Sequence, residues 1–519
     1  MAAPDTERRR RGAWYTPPSI VERVVDAVVD VDFARRSRGG RAVRVLDPAC
    51  GDGRFLLAVR AALRRHGVDA SLHGVDVDAA TVTSLAAATD IEVVRADALG
   101  SEHLSRRAGE FDLVIGNPPF LSQMSAETTR AGSSRHGGGP YMNAAAEFLA
   151  LGAELVDPDG GRLALVLPQS LLCARDAAGI RRRIDERATM LWSTWTGELD
   201  FADARVVTCA LAFEFAGAGA APSGARCEST ADRSVDPAAD PLLASFDDGA
   251  RDESPGGGPV SRTGAVRRGD WSHVVTERAG IPPVASVLDR VSRRGRLGDR
   301  ARLNSNFRDE YYGMIPAVGD HLDGPRLVTS GTIDPGRSRW GERPVRFAKR
   351  RFAAPRLDLE ALDPAMRAWA ERRLVPKVLV ANQTSVIEAV LDEEGRWLPA
   401  VPVIAAYPDD VATGWEVAAV LTSPSASVWA WHRRAGTGLS STTIRLGPTL
   451  LADLPWPEGP LDDAVDALRR GDVAACGEAV ERAYGVAVSQ SAAATVWWAR
   501  HLERIESRAP SSDGTAPPA

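Results

Sequence analysis

An asparagine followed by two prolines and an aromatic residue ends an apolar stretch in the first quarter of the chain. The stretch begins at Phe111 and closes with Asn117-Pro118-Pro119-Phe120. Two successive prolines fix φ at about −65° and push the residue before each towards an extended conformation, so the strand must stop abruptly here. We expect the Asn117 side-chain carbonyl and the Pro118 backbone carbonyl to form two fixed acceptors, which suit an amino group with two hydrogens to donate.

Such a pair of acceptors could activate an exocyclic amine on a nucleic-acid base. This amine is a poor nucleophile because its lone pair is delocalised into the ring, and accepting both N–H bonds exposes that lone pair to an electrophile. Phe120 adds an aromatic face on which a flat base can stack. Catalysis would then depend on positioning and electrostatic preorganisation. Taken alone, a Pro-Pro pair is more often a strand terminator, and only an upstream loop at the right spacing favours the chemical interpretation.

That upstream loop is the segment Asp47-Pro-Ala49-Cys-Gly51-Asp52-Gly53, which lies between an apolar strand pattern and a helical pattern. Glycine lets a ligand approach the backbone closely and permits a positive φ. The glycines do not match GxGxxG, which argues against a dinucleotide. A tight strand-to-helix turn without any ligand is the alternative interpretation.

Acidic residues close the next two predicted strands as well. Asp76 ends the second strand, where an acid can accept hydrogen bonds from ribose hydroxyls, and Asp97 ends the third, where it can accept from an adenine amino group. With Asp47, three acids line one edge of the predicted sheet. They would repel a pyrophosphate but suit an adenosine that carries a cationic sulfur. The sequence therefore predicts S-adenosylmethionine as the cofactor.

Taken together, these motifs resemble those of the S-adenosylmethionine-dependent DNA methyltransferases that methylate amino groups, specifically the N6-adenine group of Thermus-type architecture. The motif order is similar to the gamma arrangement, and the match covers about the first 215 residues. The resemblance implies that double-stranded DNA is the substrate and that adenine is flipped out of the duplex. One departure is Asp52, where the family more often has Ser, and we expect its side chain to point away from the glycine contacts.

The resemblance also implies a role for each matching residue. For the cofactor these are the methionine-end residues Tyr15, Thr16 and Pro17, the loop residues Asp47, Ala49, Gly51 and Gly53, the ribose and adenine contacts Asp76 and Val77, the adenine-amino contacts Asp97 and Ala98, and Asn117. The catalytic motif is Asn117, Pro118, Pro119 and Phe120. Phe201 resembles the second aromatic residue that holds the extruded adenine, opposite Phe120.

Short apolar strands alternate with amphipathic helices over residues 12–215, which predicts an α/β fold with a doubly wound parallel sheet, Rossmann-like and of the class I methyltransferase type. Such sheets bind ligands at the carboxyl ends of their strands. The predicted segments are a disordered N-terminus (1–11), the catalytic domain (12–215), a flexible linker or loop rich in Ala, Gly, Pro, Ser and Asp (216–270), a C-terminal mixed α/β target-recognition domain (271–505) and a disordered tail (506–519).

The second folded region carries no recognisable catalytic pattern. Between Arg278 and Arg351 it holds 16 Arg or Lys and 8 Asp or Glu, although the whole chain has a net charge of −6. A local basic stripe is what phosphate contacts require, but a solvated Arg-rich surface is the alternative. Four segments (327–333, 376–380, 436–444 and 454–457) resemble, more loosely, target-recognition regions of the same enzymes. No individual residue there can be assigned to base reading.

Composition excludes several classes of protein. With 519 residues, 44% hydrophobic and 25% charged, the chain is neither fibrous nor wholly disordered. We expect no signal peptide, and the sequence contains no apolar run of the roughly 18–20 residues that a membrane helix needs. The five scattered cysteines predict neither a disulfide framework nor a structural zinc site, and the eight dispersed histidines suggest no metal. A cytoplasmic protein without membrane contact is therefore expected.

The leading interpretation is a sequence-specific adenine-N6 DNA methyltransferase from a restriction-modification or phage-defence system. Only 11 residues precede Gly12, so any nuclease or defence subunit is expected to be a separate chain. Two alternatives remain open. One is a related methyltransferase that acts on RNA or on a protein glutamine, and the other is a non-catalytic DNA specificity subunit.

Overall fold

The computed structural model divides into two compact units, Met1–Asp270 and Trp271–Ala519. It describes residues 16–36, 41–120, 138, 143–196, 207–216, 269, 271–283, 288, 294–305, 308–438, 440 and 442–507. The predicted disordered N-terminus lies outside these residues. So do the predicted linker, apart from Ala216 and Gly269, and the predicted tail, apart from Glu506 and Ser507. No helix within the described ranges is long and apolar enough to cross a membrane.

Among the described residues of the first unit, seven strands form one sheet in the order β3-β2-β1-β4-β5-β7-β6. The strands are β1 (Val43–Asp47), β2 (Ala70–Asp76), β3 (Glu92–Arg95), β4 (Leu113–Gly116), β5 (Arg162–Pro168), β6 (Ala188–Thr196) and β7 (Thr208–Phe215). Strands β1 to β5 pair in parallel, as expected for strands that alternate with helices. The α/β class with a parallel central sheet is therefore confirmed.

The last two strands differ in direction from the others. β7 pairs antiparallel with both β5 and β6, so the sheet is parallel except at this edge. The physical reason is the connection: β7 runs back beside β6, whereas a parallel neighbour needs a crossover that returns the chain to the other end of the sheet. β6 itself was not predicted.

Helices cover both faces of this sheet. They are α1 (Pro18–Val28), α2 (Val31–Arg36), α3 (Arg54–Arg65), α4 (Ala79–Ala88), α5 (Glu102–Ser105), α6 (Ala144–Leu155) and α7 (Ala178–Asp185). Buried side chains of α1 to α3 form one hydrophobic cluster with Val45, Ile115 and Val166 of the sheet. Alternate strand residues point to opposite faces, and Val114 lies on the other face, close to Gly152 of α6. The sheet is thus buried from both sides, which fixes the carboxyl ends of its strands.

The second unit is a mixed α/β structure. Its strands are β8 (Ala301–Ser305), β9 (Val318–Gly319), β10 (Arg326–Val328), β11 (Ile333–Asp334), β12 (Arg337–Ser338), β13 (Val345–Phe347), β14 (Arg350–Phe352), β15 (Arg356–Leu357), β16 (Lys377–Val380), β17 (Gln383–Thr384), β18 (Ala389–Asp392), β19 (Trp397–Pro399), β20 (Ile404–Pro408) and β21 (Ile444–Arg445). Among its described residues, two four-stranded sheets are β19-β10-β15-β9 and β18-β16-β20-β8, and the remaining strands pair two by two.

Helices dominate the end of the second unit. The described ones are α8 (His273–Arg278), α9 (Arg308–Met314), α10 (Pro364–Glu371), α11 (Val411–Leu421), α12 (Pro424–Arg434), α13 (Pro448–Ala452), α14 (Asp462–Arg469), α15 (Val473–Tyr484) and α16 (Val488–Glu506). Trp429, Trp431 and Trp498 are buried among them. The unit therefore has a core of its own.

Candidate functional site

The first component of the site is a buried carboxylate at the end of β1. The Asp47 side chain is only 1% exposed, and its Oδ1 accepts the Ala49 backbone N–H at 3.0 Å. Burial raises the pKa of Asp47 to about 8, and the neighbouring acids Asp76 and Asp52 act in the same direction. The group can therefore change its charge near neutral pH, and an incoming cation would favour its ionised form.

The loop after Asp47 is tied to the end of the next strand. Gly51 N donates to Asp76 Oδ2 at 2.9 Å, while Asp78 N donates to Asp76 Oδ1 at 2.8 Å. Both loop glycines have a positive φ, 50° at Gly51 and 76° at Gly53, as the sequence predicted. A Cβ at Gly53 would come within 2.8 Å of Leu85 Cδ1, whereas a Cβ at Gly51 would meet nothing within 4 Å. Gly53 is needed for packing, and Gly51 leaves open space beside the backbone.

The Asn117 segment lies directly beside this loop. β4 pairs with β1, and Gly116 is so close to the Asp47 carboxylate that a Cβ at position 116 would overlap it. Asn117 therefore follows a residue in contact with the buried acid, and the side chain of Asn117 is half-buried. The structure thus brings together the glycine loop and the Asn117 segment, which the sequence predicted to form one site. The absence of a side chain at Gly116 allows this close approach.

Thr16 connects the Asn117 segment to the loop. Its hydroxyl, in a side chain that is 3% exposed, accepts from Asn117 Nδ2 at 3.0 Å. The Thr16 backbone carbonyl accepts from the Arg54 guanidinium, which also binds the Asp52 carboxylate at 2.6 Å. The amide of Asn117 is therefore oriented with its donor towards Thr16, and the carbonyl oxygen is the other end of the same planar group. The Asp52 side chain is exposed and accepts from Arg54. The sequence predicted that this side chain points away from the glycine contacts.

The remaining predicted site residues lie at different depths. Two of them are buried, Ala98 and Pro118. The others are half-buried: Pro17, Ala49, Pro119 and Phe120. Phe120 packs against the hydrophobic cluster of the sheet face. Val77 is 55% exposed beside Asp76, an unusual position for a large apolar side chain. Tyr15 and Phe201 lie outside the described residues, and their roles stay predictions.

Asp97 differs from its two acidic counterparts in its contacts. It follows the end of β3 by two residues, its carboxylate is exposed, and Oδ1 accepts from Leu99 N at 3.1 Å as a helix cap. Of these three acids, Asp47 and Asp76 are the ones that accept backbone hydrogen bonds from the glycine loop within the described residues. The three acids therefore end or follow three neighbouring strands, and Asp97 stands two residues beyond the end of its strand.

Two residues of the site were missed by the sequence analysis. Arg54 bridges Asp52 and Thr16, and Gly116 permits the contact between β1 and β4. Gly116 had a signal, because a glycine at the end of an apolar strand marks a close approach of another chain segment. No sequence signal marks Arg54, because its hydrogen bond to the Thr16 carbonyl depends on the tertiary structure. Within the described residues, no group of three His, Cys, Asp or Glu side chains could hold a metal ion.

Comparison with protein families relates part of the first unit to a known family. Residues 2–190 match the model of the family described as N-6 DNA Methylase. This stretch contains Thr16, Asp47, Asp76 and Asn117. The N-terminal part of the chain is therefore similar to the N-6 DNA Methylase family.

Relatives of known name resemble part of this chain. The Type II methyltransferase M.TthHB8I of Thermus thermophilus is 36% identical over 118 residues, which are 22% of this chain and 23% of the relative. The Type II methyltransferase M.MamI of Microbacterium ammoniaphilum is 32% identical over 124 residues, 21% of this chain and 34% of the relative. The chain thus spans about a third or less of the length of these curated relatives.

One solved structure resembles nearly the whole chain, including the part beyond residue 190. It is the Type IIL restriction-modification enzyme MmeI in complex with DNA, which matches 97% of this chain and 80% of its own chain with a TM-score of 0.58. The sequence identity is 11%, so the likeness concerns the fold alone.

Proposed function

We propose that this chain transfers a methyl group from S-adenosylmethionine to the N6 amino group of adenine within a specific sequence of double-stranded DNA. The observation that carries the proposal is the contact of Gly116 with the Asp47 carboxylate, which places the Asn117 segment beside the acidic glycine loop. A binding module has no use for this combination. The match of residues 2–190 to the N-6 DNA Methylase family supports the same activity.

The residues of the loop fit S-adenosylmethionine. Asp47 offers a buried acid to a cationic group, Gly51 leaves open space for a ligand against the backbone, and Val77 presents an apolar side chain beside Asp76. Thr16, Pro17, Gly53, Asp76 and Ala98 would complete the binding site, with Ala49 and Asp97 at its edge. When bound, this cofactor supplies an electrophilic methyl group on a positively charged sulfur.

The Asn117 segment would hold the target amine. Asn117 Nδ2 already donates to Thr16, so the amide oxygen is the atom that would accept from the adenine amino group. The Pro118 carbonyl would accept the second hydrogen, with Phe120 and Phe201 stacking on the two faces of the base. A base inside a duplex must be flipped out to reach this position, at a cost of about a few kcal/mol. Stacking would offset this by about 1–3 kcal/mol per base.

The second unit would recognise the DNA sequence. It corresponds to residues 271–505 of the predicted target-recognition domain, and its basic stripe provides charge for phosphate contacts. Such a DNA substrate would place the protein in the cytoplasm, where DNA is available. The protein would act there as part of a restriction-modification or phage-defence system. A separate endonuclease or defence subunit would then supply DNA cleavage.

Radiolabel transfer tests the proposed substrate directly. The full chain is incubated with tritiated S-adenosylmethionine and, in parallel, with genomic DNA, total RNA and protein. Label in DNA, recovered as N6-methyladenine after hydrolysis, is the expected result. Label in RNA or protein alone would instead establish one of the alternative methyltransferases, and cofactor binding without transfer to any substrate would favour a specificity subunit. Single-molecule sequencing of the modified DNA then gives the recognition sequence.

Substitution of Thr16 tests the orientation of the catalytic amide. Thr16→Val removes the hydroxyl that accepts from Asn117 Nδ2, so we expect kcat to fall by about fivefold, the equivalent of one net hydrogen bond of roughly 1 kcal/mol. Thr16→Ser keeps the hydroxyl and serves as the matched control. Equal kcat values for the Val and Ser variants would show that this hydrogen bond does not position Asn117.

The raised pKa of Asp47 predicts a pH-dependent preference for the charged cofactor. Below pH 8 the carboxyl is mostly neutral, and above it the group is an anion that attracts a sulfonium but not the neutral sulfur of S-adenosylhomocysteine. The affinity ratio of S-adenosylmethionine to S-adenosylhomocysteine should therefore increase between pH 6.5 and 9. We expect a rise of at least about fivefold, because the attraction between unit charges about 4 Å apart is roughly 1 kcal/mol even in bulk water and is larger at a buried site. Calorimetric titrations measure both affinities.

Asp47→Asn provides the control for this pH dependence. The amide keeps the shape and an acceptor for Ala49 N, but it cannot ionise. The affinity ratio of the variant should be flat across the same pH range, because the ammonium and carboxylate groups that the two ligands share cancel in the ratio. A wild-type ratio that does not change with pH would show that Asp47 does not face the sulfur.

A further inference from the structure

The sheet β19-β10-β15-β9 of the second unit carries a row of three side chains on the face opposite its hydrophobic cluster. Trp397, Arg326 and Arg356 are direct neighbours across three strands of this sheet. Directly opposite residues point to the same face, and the residue after each of them points to the other face. The residues that follow are all completely buried in one hydrophobic cluster: Leu398, Leu327 and Leu357. The two arginines and the tryptophan therefore lie on the face away from that cluster.

A cavity of about 660 Å³ lies beside this row. Its lining includes Arg326, Arg356 and Trp397, together with the turn between β18 and β19. This volume is in the range of sites that hold small organic molecules. The three side chains are half-buried, so they are partly shielded from bulk solvent. The cavity therefore offers two cations and an aromatic residue to a ligand.

Trp340 holds both arginines in place. The guanidinium carbon of Arg326 lies 4.6 Å from the centre of the Trp340 ring, and that of Arg356 lies 4.9 Å from it. The ring is itself fixed, because Trp340 Nε1 donates to the Pro355 carbonyl at 2.9 Å. Stacking uses the flat face of a guanidinium and leaves the N–H groups at its edges for hydrogen bonds. The two cations are thus preorganised, which lowers the entropic cost of binding an anion.

Two of the three acids that line the cavity are neutralised within the protein. The buried Asp392 pairs with Lys377 at 2.6 Å. Glu394 pairs with Arg396, which also lines the cavity, at 3.2 Å. Glu393 is exposed on the same turn. One acidic charge therefore remains in the lining against the two stacked arginines.

The stacked arginines have no carboxylate partner among the described residues. Arg356 Nη1 donates to the Gly324 carbonyl at 2.6 Å, whereas Arg326 makes no hydrogen bond or salt bridge within the described ranges. Like charges directly opposite each other on two strands destabilise a sheet. Stacking on Trp340 offsets part of this repulsion. An anion bound in the cavity would reduce it further.

We propose that this cavity binds a nucleotide, with its phosphate on Arg326 and Arg356 and its flat base on Trp397. A planar guanidinium matches the geometry of a phosphate and can hold it through two parallel hydrogen bonds. Trp397 is the direct neighbour of Arg326 across β19 and β10, so the base and the phosphate would be held at adjacent positions of one row. The ligand is a free mononucleotide or an unpaired nucleotide of a DNA strand, since both carry these two groups. Binding here does not depend on methyl transfer.

Calorimetric titration of the full chain with thymidine monophosphate tests the cavity. This nucleotide lacks the adenine and the sulfonium proposed for the glycine loop of the first unit. Arg326→Gln removes one guanidinium without breaking a hydrogen bond of the described residues. Arg482→Gln removes an exposed arginine elsewhere in the second unit and is the matched control. We expect the Kd of Arg326→Gln to be roughly tenfold or more above wild type, as for the loss of a hydrogen bond to a charged group, and the Kd of the control to be unchanged.

Trp397→Leu separates the base from the phosphate. Leucine keeps an apolar side chain against the neighbouring hydrophobic cluster but offers no ring on which a base can stack. The Kd of thymidine monophosphate should rise about fivefold or more, whereas the Kd of inorganic phosphate should keep its wild-type value. An equal increase for both probes, or no increase for either, would overturn the placement of the base.

Conservative replacement separates ligand binding from folding. Arg326→Lys keeps the charge but loses the planar fork, so its Kd for thymidine monophosphate should lie between those of wild type and the Gln variant. Melting temperatures report whether each variant is folded. A folded Gln variant that melts earlier and binds thymidine monophosphate like wild type would show that the stack on Trp340 is only structural, and the proposal would fail.

A labelled single-stranded oligothymidylate distinguishes the two sources of the nucleotide. If Arg326→Gln weakens binding of the mononucleotide alone, the ligand is a free nucleotide. If it weakens binding of the oligonucleotide alone, the ligand is a nucleotide of a DNA strand. Wild-type affinity of the variant for both probes overturns the proposal. Such a failure leaves the proposed activity intact, because transfer of label to adenine is measured separately.

Discussion

Asn117→Ala is expected to reduce methyl transfer by about a hundredfold to a thousandfold, the range observed when one preorganised hydrogen-bonding group is removed from an active site. The substitution deletes the amide oxygen that would accept from the target amine, and it also deletes the donor to Thr16. The dissociation constant of S-adenosylmethionine should change only a few-fold, because Asp47, Asp76 and the loop glycines are untouched. Single-turnover transfer and calorimetry measure the two quantities separately.

Asn117→Asp is the informative control for this result. The carboxylate retains acceptor oxygens of similar shape but cannot donate to Thr16, so its rate should lie between those of wild type and the Ala variant. An Ala variant that keeps more than about a tenth of the wild-type rate would show that Asn117 is not the group that activates the amine.

Lys377→Met is expected to destabilise the second unit by about 3–5 kcal/mol, because it leaves a buried carboxylate without its cation. Lys377 and Asp392 face each other across β16 and β18, with side chains 0% and 1% exposed and Nζ 2.6 Å from Oδ2. Urea unfolding followed by tryptophan fluorescence measures the loss, since ten of the 13 tryptophans lie after residue 270.

A second substitution identifies the cause of that loss. Asp392 also accepts backbone N–H groups from Arg396 and Trp397, at 3.0 and 2.9 Å. Asn in place of Asp392 carries no charge and can still accept one of these bonds, so Lys377→Met combined with Asp392→Asn should recover part of the lost stability. If the free energy of unfolding of the single variant is within about 1 kcal/mol of the wild-type value, the ion pair does not hold the two strands together.

The glycine loop and its relation to Asn117 could be predicted because they follow from local rules. Residues that end parallel strands meet at one edge of a sheet, so Asp47, Asp76 and Asn117 had to be near each other once their strands were recognised. The positive φ of Gly51 and Gly53 is likewise a local property. The end of the third strand was less predictable, since β3 ends at Arg95, two residues earlier than the sequence suggested.

Features that depend on tertiary contacts could not be predicted in this way. The β6 segment, Ala-Thr-Met-Leu-Trp-Ser-Thr-Trp-Thr, mixes polar and apolar residues and contains a register shift between Met190 and Trp192 that disturbs the alternation. The turn at Ala348 and Lys349 lacks the Asn-Gly or Asp-Gly pair typical of tight hairpins. Its conformation depends on Tyr311, 37 residues earlier in the chain, so no local pattern reveals it.

The position of the two lysines has a practical consequence. Lys377 is completely buried, whereas Lys349 is exposed in the turn between β13 and β14. The sequence contains no other lysine. Apart from the N-terminal amine, an acylating fluorophore should therefore attach to one defined site in the native chain. The protein can therefore carry an optical reporter at the β13–β14 turn without any engineered residue.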